Sequence, residues 1–177
     1  MRRSNIKKIL KEYFFMYPTD RLRVRQIERK LNIPLPSVIR YCKELEKDGI
    51  LTSMEIGGVT FYTANRGDKK FLLEKRLFNI KSIYQTGLVD YLREKMHNPT
   101  IILFGSYSRG EDTEDSDIDL YVETTLKEHP SLQKYEKMLG RRIQLLIHRN
   151  IKEIPNPYLS NNIINGITLN GFIRVFE

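Results

Sequence analysis

Tryptophan is absent from the 177 residues, there is one cysteine, Cys42, and there are three histidines. One cysteine excludes an internal disulfide, which fits a reducing, cytoplasmic setting. Three scattered histidines exclude a His-rich metal tract. No apolar run approaches the 18 residues that a membrane helix needs, so no membrane association is expected. The basic start, MRRSNIKK, has no apolar segment behind it, unlike a secretory signal. No Pro/Ser-rich linker interrupts the chain. What is abundant is positive charge, at a formal +8. It is uneven: residues 1–66 carry a net +7, residues 67–98 a net +3, and residues 99–177 a net −2. A basic front and a slightly acidic back predict units with different partners, the front suiting nucleic acid or serving as a solubilising surface.

The front, residues 1–66, reads as three helices and a hairpin. Ile6, Ile9, Leu10, Tyr13 and Phe14 recur at helical spacing ahead of Pro18. Val24, Ile27 and Leu31 mark a second helix. Pro36 stands in the first turn of a third, whose expected buried stripe is Val38, Ile39, Cys42 and Leu45, and Gly49 is placed to end it. Two β-like runs, ILTSMEI and VTFYTA, flank Gly57-Gly58, a hairpin signal. This order resembles a winged helix-turn-helix domain. The resemblance implies duplex DNA in contact with the exposed face of the third helix, through Ser37, Arg40, Tyr41 and Lys47. A protein-docking or dimerisation role is the alternative.

Residues 67–98 read as a helical bridge. Leu73, Leu77, Ile80, Tyr84 and Leu88 form its apolar stripe, and Gly87 is a point of interruption. The stripe predicts packing on the back unit, a homodimer seam, or both.

In residues 99–177 the basic chain turns acidic. The stretch GSYSRGEDTEDSDIDL, Gly105 to Leu120, holds six acids. An apolar run, TIILF, precedes Gly105-Ser106. Alternation in SDIDLYVE sets Asp117 and Asp119 on one strand face, roughly 6.6 Å apart along the strand. Two carboxylates so placed can gather Mg²⁺, which favours carboxylates together with substrate phosphates. A glycine allows close approach to phosphate, and the Ser106 hydroxyl can hydrogen-bond to it.

Gly105-Ser106, ten residues, then Asp117-x-Asp119 is the signature of the polymerase-beta-like nucleotidyltransferases. The fuller pattern, with Arg109, Gly110 and Ser116 in register, resembles the minimal nucleotidyltransferases of archaea and bacteria, and residues 161–175 are similar to that family's C-terminal segment. The resemblance implies an α+β protein: an N-terminal winged helix, a helical bridge, and a mixed sheet with helices on one side. It implies an enzyme that transfers a nucleotidyl group, AMP from ATP, to a hydroxyl on a protein or small molecule. Asp117 and Asp119 would be the catalytic and metal-binding pair, with Mg²⁺ or alternatively Mn²⁺. Gly105, Ser106 and Arg109 would hold the triphosphate. Glu111, Asp112, Glu114 and Asp115 are expected to be loop acids without a ligand role. Minimal members often act as antitoxins on a HEPN-type toxin, which makes such a protein an expected partner. The pattern departs at one place. The strand RRIQLLIH carries Gln144 where a third carboxylate is expected, and an amide cannot accept the proton of an attacking hydroxyl. That substitution supports a second reading, a DNA-binding regulator that senses nucleotide without turnover.

Overall fold

A computed structural model describes residues 3–126 and 129–174, with side chains described from Ile6 onward. It divides into two compact units, residues 1–78 and 79–177. The division between them falls inside a helix.

The first unit contains α1 (Arg3–Met16), α2 (Val24–Leu31) and α3 (Leu35–Lys47), then β1 (Leu51–Ile56) and β2 (Val59–Ala64). Pro34 is the N-cap of α3 and Pro36 lies in its first turn, where a missing N–H has no helical partner to lose. At its other end Ile50 N–H donates to the Leu45 carbonyl and Gly49 N–H to that of Glu46, with Gly49 at φ +79°. That pair of bonds is a Schellman cap. β1 and β2 are antiparallel, with Ile56 opposite Val59 across Gly57 (φ +57°) and Gly58 (φ +73°). Both central residues need positive φ in such a two-residue turn, which is why two glycines stand there. Leu10, Phe14, Ile27, Val38, Cys42 and Leu45 form the centre of this unit's core.

Two expectations for α3 are corrected. Tyr41 is 6% exposed and part of the core, whereas Ile39 is 39% exposed. The buried stripe is therefore 38, 41, 42, 45, a spacing of three, one and three, which follows the 3.6-residue period more closely than the stripe through 39.

The helix α4 (Lys69–Gln85) contains the division between the units, and α5 (Leu88–Lys95) follows a break at Gly87 (φ +77°). The expected stripe on α4 is also corrected. Leu73, Leu77 and Tyr84 are exposed, and the buried positions are Phe71, Lys75, Asn79 and Ile83, four residues apart. The helix period was visible in the sequence; the apolar stripe was not its buried face.

The second unit is built on a four-stranded mixed sheet in the order β5-β4-β3-β6. Its strands are β3 (Thr100–Phe104), β4 (Ile118–Glu123), β5 (Ile143–His148) and β6 (Ile167–Asn170). β3 pairs antiparallel with β4 and β6, and β4 pairs parallel with β5. A parallel pair requires a crossover, and α7 (Gln133–Leu139) lies in it. Ile101, Leu103, Ile118, Leu120, Val122 and Ile143 face one core with Ile83, Leu88, Leu92, Tyr107, Tyr135 and Leu139. Helices on one side only were expected. Instead the opposite face is covered too: Ile102, Phe104 and Tyr121 pack with Ile151 of a 3-10 turn (Ile151–Glu153), Ile154, and Leu159 and Ile163 of α8 (Pro157–Ile164). Period-two alternation explains the result, since large apolar residues occupy both phases of β3. Val175, the last residue of the expected C-terminal segment, lies outside the described residues. No helix among the described residues is long and apolar enough to cross a membrane.

Candidate active site

β3 ends at Phe104, and the chain reverses at once through α6 (Gly105–Arg109). Phe104 is the register partner of Asp119 on β4, and Asp119 in turn is the partner of Gln144 on β5. The start of the short turn and the motif's second aspartate are therefore set side by side by sheet register alone. Gly105 has φ +73°, and a Cβ built there would fall inside contact distance of Asp119 Oδ2 and 3.1 Å from its Cγ. The glycine thus serves the aspartate as well as any incoming ligand: its missing side chain is the space that the Asp119 carboxylate occupies.

Burial holds the Asp119 carboxyl above the usual carboxylate range, the charge of Asp117 adds to the rise, and Arg109 opposes it. A carboxylate whose charge is disfavoured by burial and by a second carboxylate suits a cation between the two. Asp117 is partly exposed and immediately precedes β4. Among the described residues no group of three His, Cys, Asp or Glu side chains gathers to hold a metal ion. Gln144, exposed beside Asp119, occupies the adjoining strand position.

Ser106 is partly exposed, and its carbonyl accepts the Glu111 N–H at 3.0 Å. Arg109 is exposed, with Nε 2.6 Å from Glu111 Oε2. An exposed pair of this kind contributes little to stability, so the guanidinium is available to a more charged ligand. Ser116 ties the acidic loop: its hydroxyl accepts the Thr113 N–H at 2.9 Å. An open groove of about 440 Å³ lies beside Asp117, lined also by Glu114, Asp115, Glu136, Arg141 and Arg142.

Asp112, expected as a loop acid, lies in the loop but is buried. It is 2% exposed and accepts a hydrogen bond from Asn79 Nδ2 at 2.7 Å. Asn79 itself was not anticipated from sequence. The available signal was its place between Phe71, Lys75 and Ile83 at four-residue steps, where a polar residue demands a partner.

In the first unit Ser37 is partly exposed, and Arg40 and Lys47 are exposed on α3. Arg40 lies over the Tyr41 ring at 4.3 Å and has Nε 3.7 Å from Glu44 Oε1. The structure keeps three of the four predicted residues on the surface and removes Tyr41.

Residues 86–169 match the nucleotidyltransferase domain family. A Methanocaldococcus jannaschii protein provisionally named a protein adenylyltransferase is 42% identical over 96 residues, covering 50% of this chain and 92% of the relative. A second protein of that organism, provisionally given the same name, is 39% identical over 79 residues, 41% of this chain and 76% of the relative. The protein adenylyltransferase MntA of Thermococcus cleftensis is 41% identical over 68 residues, 34% of this chain and 67% of the relative. No solved structure matches. The Gly-Ser turn, the paired aspartates and identity of 42% across nearly all of one relative agree: the chain belongs to the nucleotidyltransferase family, and it is a nucleotidyltransferase.

Proposed function

We propose that the second unit transfers AMP from ATP to a hydroxyl of a protein, with Asp117 and Asp119 as its catalytic carboxylates. The observation that carries this reading is the seating of the Asp119 carboxylate against Gly105, which brings the two halves of the motif together. The relatives' naming as protein adenylyltransferases supports adenylyl as the group and protein as the acceptor; a small-molecule hydroxyl is the other acceptor class.

Two carboxylates fit a Mg²⁺ ion that completes its shell with phosphate oxygens, and Mn²⁺ fits the same donors. Bound there, the ion would neutralise triphosphate charge. Ser106 would hydrogen-bond to the terminal phosphates, and Arg109 would exchange Glu111 for phosphate. The acceptor oxygen forms a bond to the α-phosphorus as the bond from that phosphorus to the bridging oxygen breaks, and pyrophosphate departs with its electron pair. The acceptor's proton must leave, and Gln144 cannot take it, so water or a carboxylate of the pair receives it. An acceptor segment has the groove beside Asp117 as its way in. A HEPN-type toxin remains the proposed protein partner.

The test is incubation with α-labelled ATP, GTP, CTP and UTP, with Mg²⁺, and with the neighbouring gene's product. Label should pass from ATP, and Asp117→Asn with Asp119→Asn should abolish both transfer and pyrophosphate release. Undiminished transfer by that double variant sinks the assignment.

We also infer that the first unit binds duplex DNA as a winged helix. Its three helices and hairpin support this, as do the exposed Arg21, Arg23, Arg25, Arg29, Arg40, Lys43, Lys47 and Arg66. Each phosphate contact should contribute about 0.9 to the log–log salt slope. Arg40→Ala should weaken binding of the full chain to a genomic fragment pool in gel shift; no affinity at low salt would favour a docking role.

A further inference from the structure

We infer that Asn79 is a positioning residue for nucleotide binding, acting by clasping the turn that carries Ser106 and Arg109. The inference rests on the site assignment proposed above.

α6 has five residues. Helices far longer than this are marginal when isolated, so the turn cannot hold its own shape. Its last carbonyls lack helical donors, as at any helix C-terminus. Several contacts supply what the turn lacks. Ser108 Oγ donates back to the Gly105 carbonyl at 2.8 Å, Gly110 caps the end at φ +74°, and Tyr107 is buried in the core. Glu111 N–H donates to the Ser106 carbonyl at 3.0 Å, Gly110 N–H reaches the Tyr107 carbonyl at 3.4 Å, and a side chain distant in sequence, Asn79, adds to them. Its Nδ2 donates to the Tyr107 carbonyl at 2.9 Å and to Asp112 Oδ1 at 2.7 Å.

The two bonds grip the chain on either side of Arg109 and Gly110. One holds the end of the turn, the other the segment leaving it. Asn79 is 1% exposed and Asp112 2% exposed, so water cannot replace a lost bond at low cost. An amide nitrogen has two hydrogens and both are used. Leucine, of similar size, has none. The Tyr107 carbonyl and the Asp112 carboxylate meet this clasp, both residues being buried, while Arg109 between them is exposed. The clasp therefore sets the pose of the turn's exposed side without touching ligand itself. Small misplacements of ligand-holding groups are costly, with about 1 Å worth on the order of 10²-fold.

The experiment is calorimetric titration of the full chain with ATP and Mg²⁺, reading dissociation constant and stoichiometry together. Asn79→Leu should raise Kd by roughly ten- to a hundred-fold at unchanged stoichiometry. A purely structural role moves the other quantity: a misfolded fraction lowers stoichiometry and leaves Kd alone, and that result overturns the inference. Should Asn79→Leu prove insoluble, Asn79→Ser takes its place. Its shorter hydroxyl has one hydrogen and cannot serve both acceptors, so the same rise in Kd is expected and an unchanged Kd overturns the inference. Asp117→Asn with Asp119→Asn is titrated in parallel. If that variant binds as tightly as wild type, the site assignment fails; if it loses binding while Asn79→Leu keeps it, the assignment stands and the clasp fails.

Discussion

Gly105→Ala should damage stability and nucleotide binding together, and the two causes can be separated. A non-glycine residue at φ +73° bears a left-handed strain of about 1–2 kcal/mol. The added methyl also meets the Asp119 carboxylate, with Cγ 3.1 Å and Cβ 3.4 Å away, so that side chain must turn from its seat. Overpacking of this kind costs about 1–3 kcal/mol. At about 4 °C per kcal/mol for a unit of this size, the melting temperature should fall by at least about 8 °C. Nucleotide affinity should fall as well, because Asp119 is displaced. Asp119→Ala in the same chain removes the obstructing atoms. The double variant should therefore recover the packing part of the loss and keep only the backbone strain. Thermal melts of wild type, both single variants and the double variant give the coupling. Additivity within about 0.5 kcal/mol would refute the reasoning, since contacting residues should couple by more. So would a Gly105→Ala chain that melts like wild type.

Gln144→Asp should speed transfer by up to about 10²-fold, the lower end of general-base assistance, in steady-state assays with labelled ATP; an unchanged rate means that the neighbour of Asp119 has no proton-accepting place in the reaction. Cys42 is fully buried and its thiol is pushed up to about 12. The native chain should therefore resist Ellman's reagent at pH 8 and release one equivalent only when unfolded. Asp48 accepts from Lys7 at 2.9 Å, and that bond holds its carboxyl below the ordinary value of 3.8. A depressed native value means that its stabilisation is present above 3.8 and fades as the pH drops through the native value. The difference in melting temperature between wild type and Asp48→Asn should shrink as the pH falls below 3.8; a difference that does not shrink on acidification has another origin.

The local signals in the sequence were largely sufficient for the elements. The Schellman glycine, Gly57-Gly58, Gly87 and the apolar alternation of β4 each depend on neighbours a few residues away. The motif was legible for the same reason: its spacing fixes a strand, a turn and a strand, and sheet register does the rest. What failed was choice of face. On α3 hydropathy favoured Ile39 over Tyr41, yet it is Tyr41 that packs in the core. On α4 the apolar stripe through Leu73 and Leu77 was stronger than the buried one, because Asn79 is made tolerable by partners 28 and 33 positions away. Asp112 was unreadable as a buried acid without Asn79. The second sheet face was missed because Ile151, Ile154 and Ile163 form a cover only after the chain has left the sheet.

The sheet order also has a consequence for synthesis. β3 pairs with β6, so Ile101 waits for Asn170 before its second edge is closed. At about 5–20 residues per second, that interval is several seconds on the ribosome. Throughout it Thr100-Ile-Ile-Leu-Phe104 presents an open, apolar edge of the kind that recruits other strands. Pro99 and Gly105, at its two ends, are residues that interrupt β pairing. A nascent chain halted before Ile167 therefore keeps that edge open, and β6 is the strand that closes it.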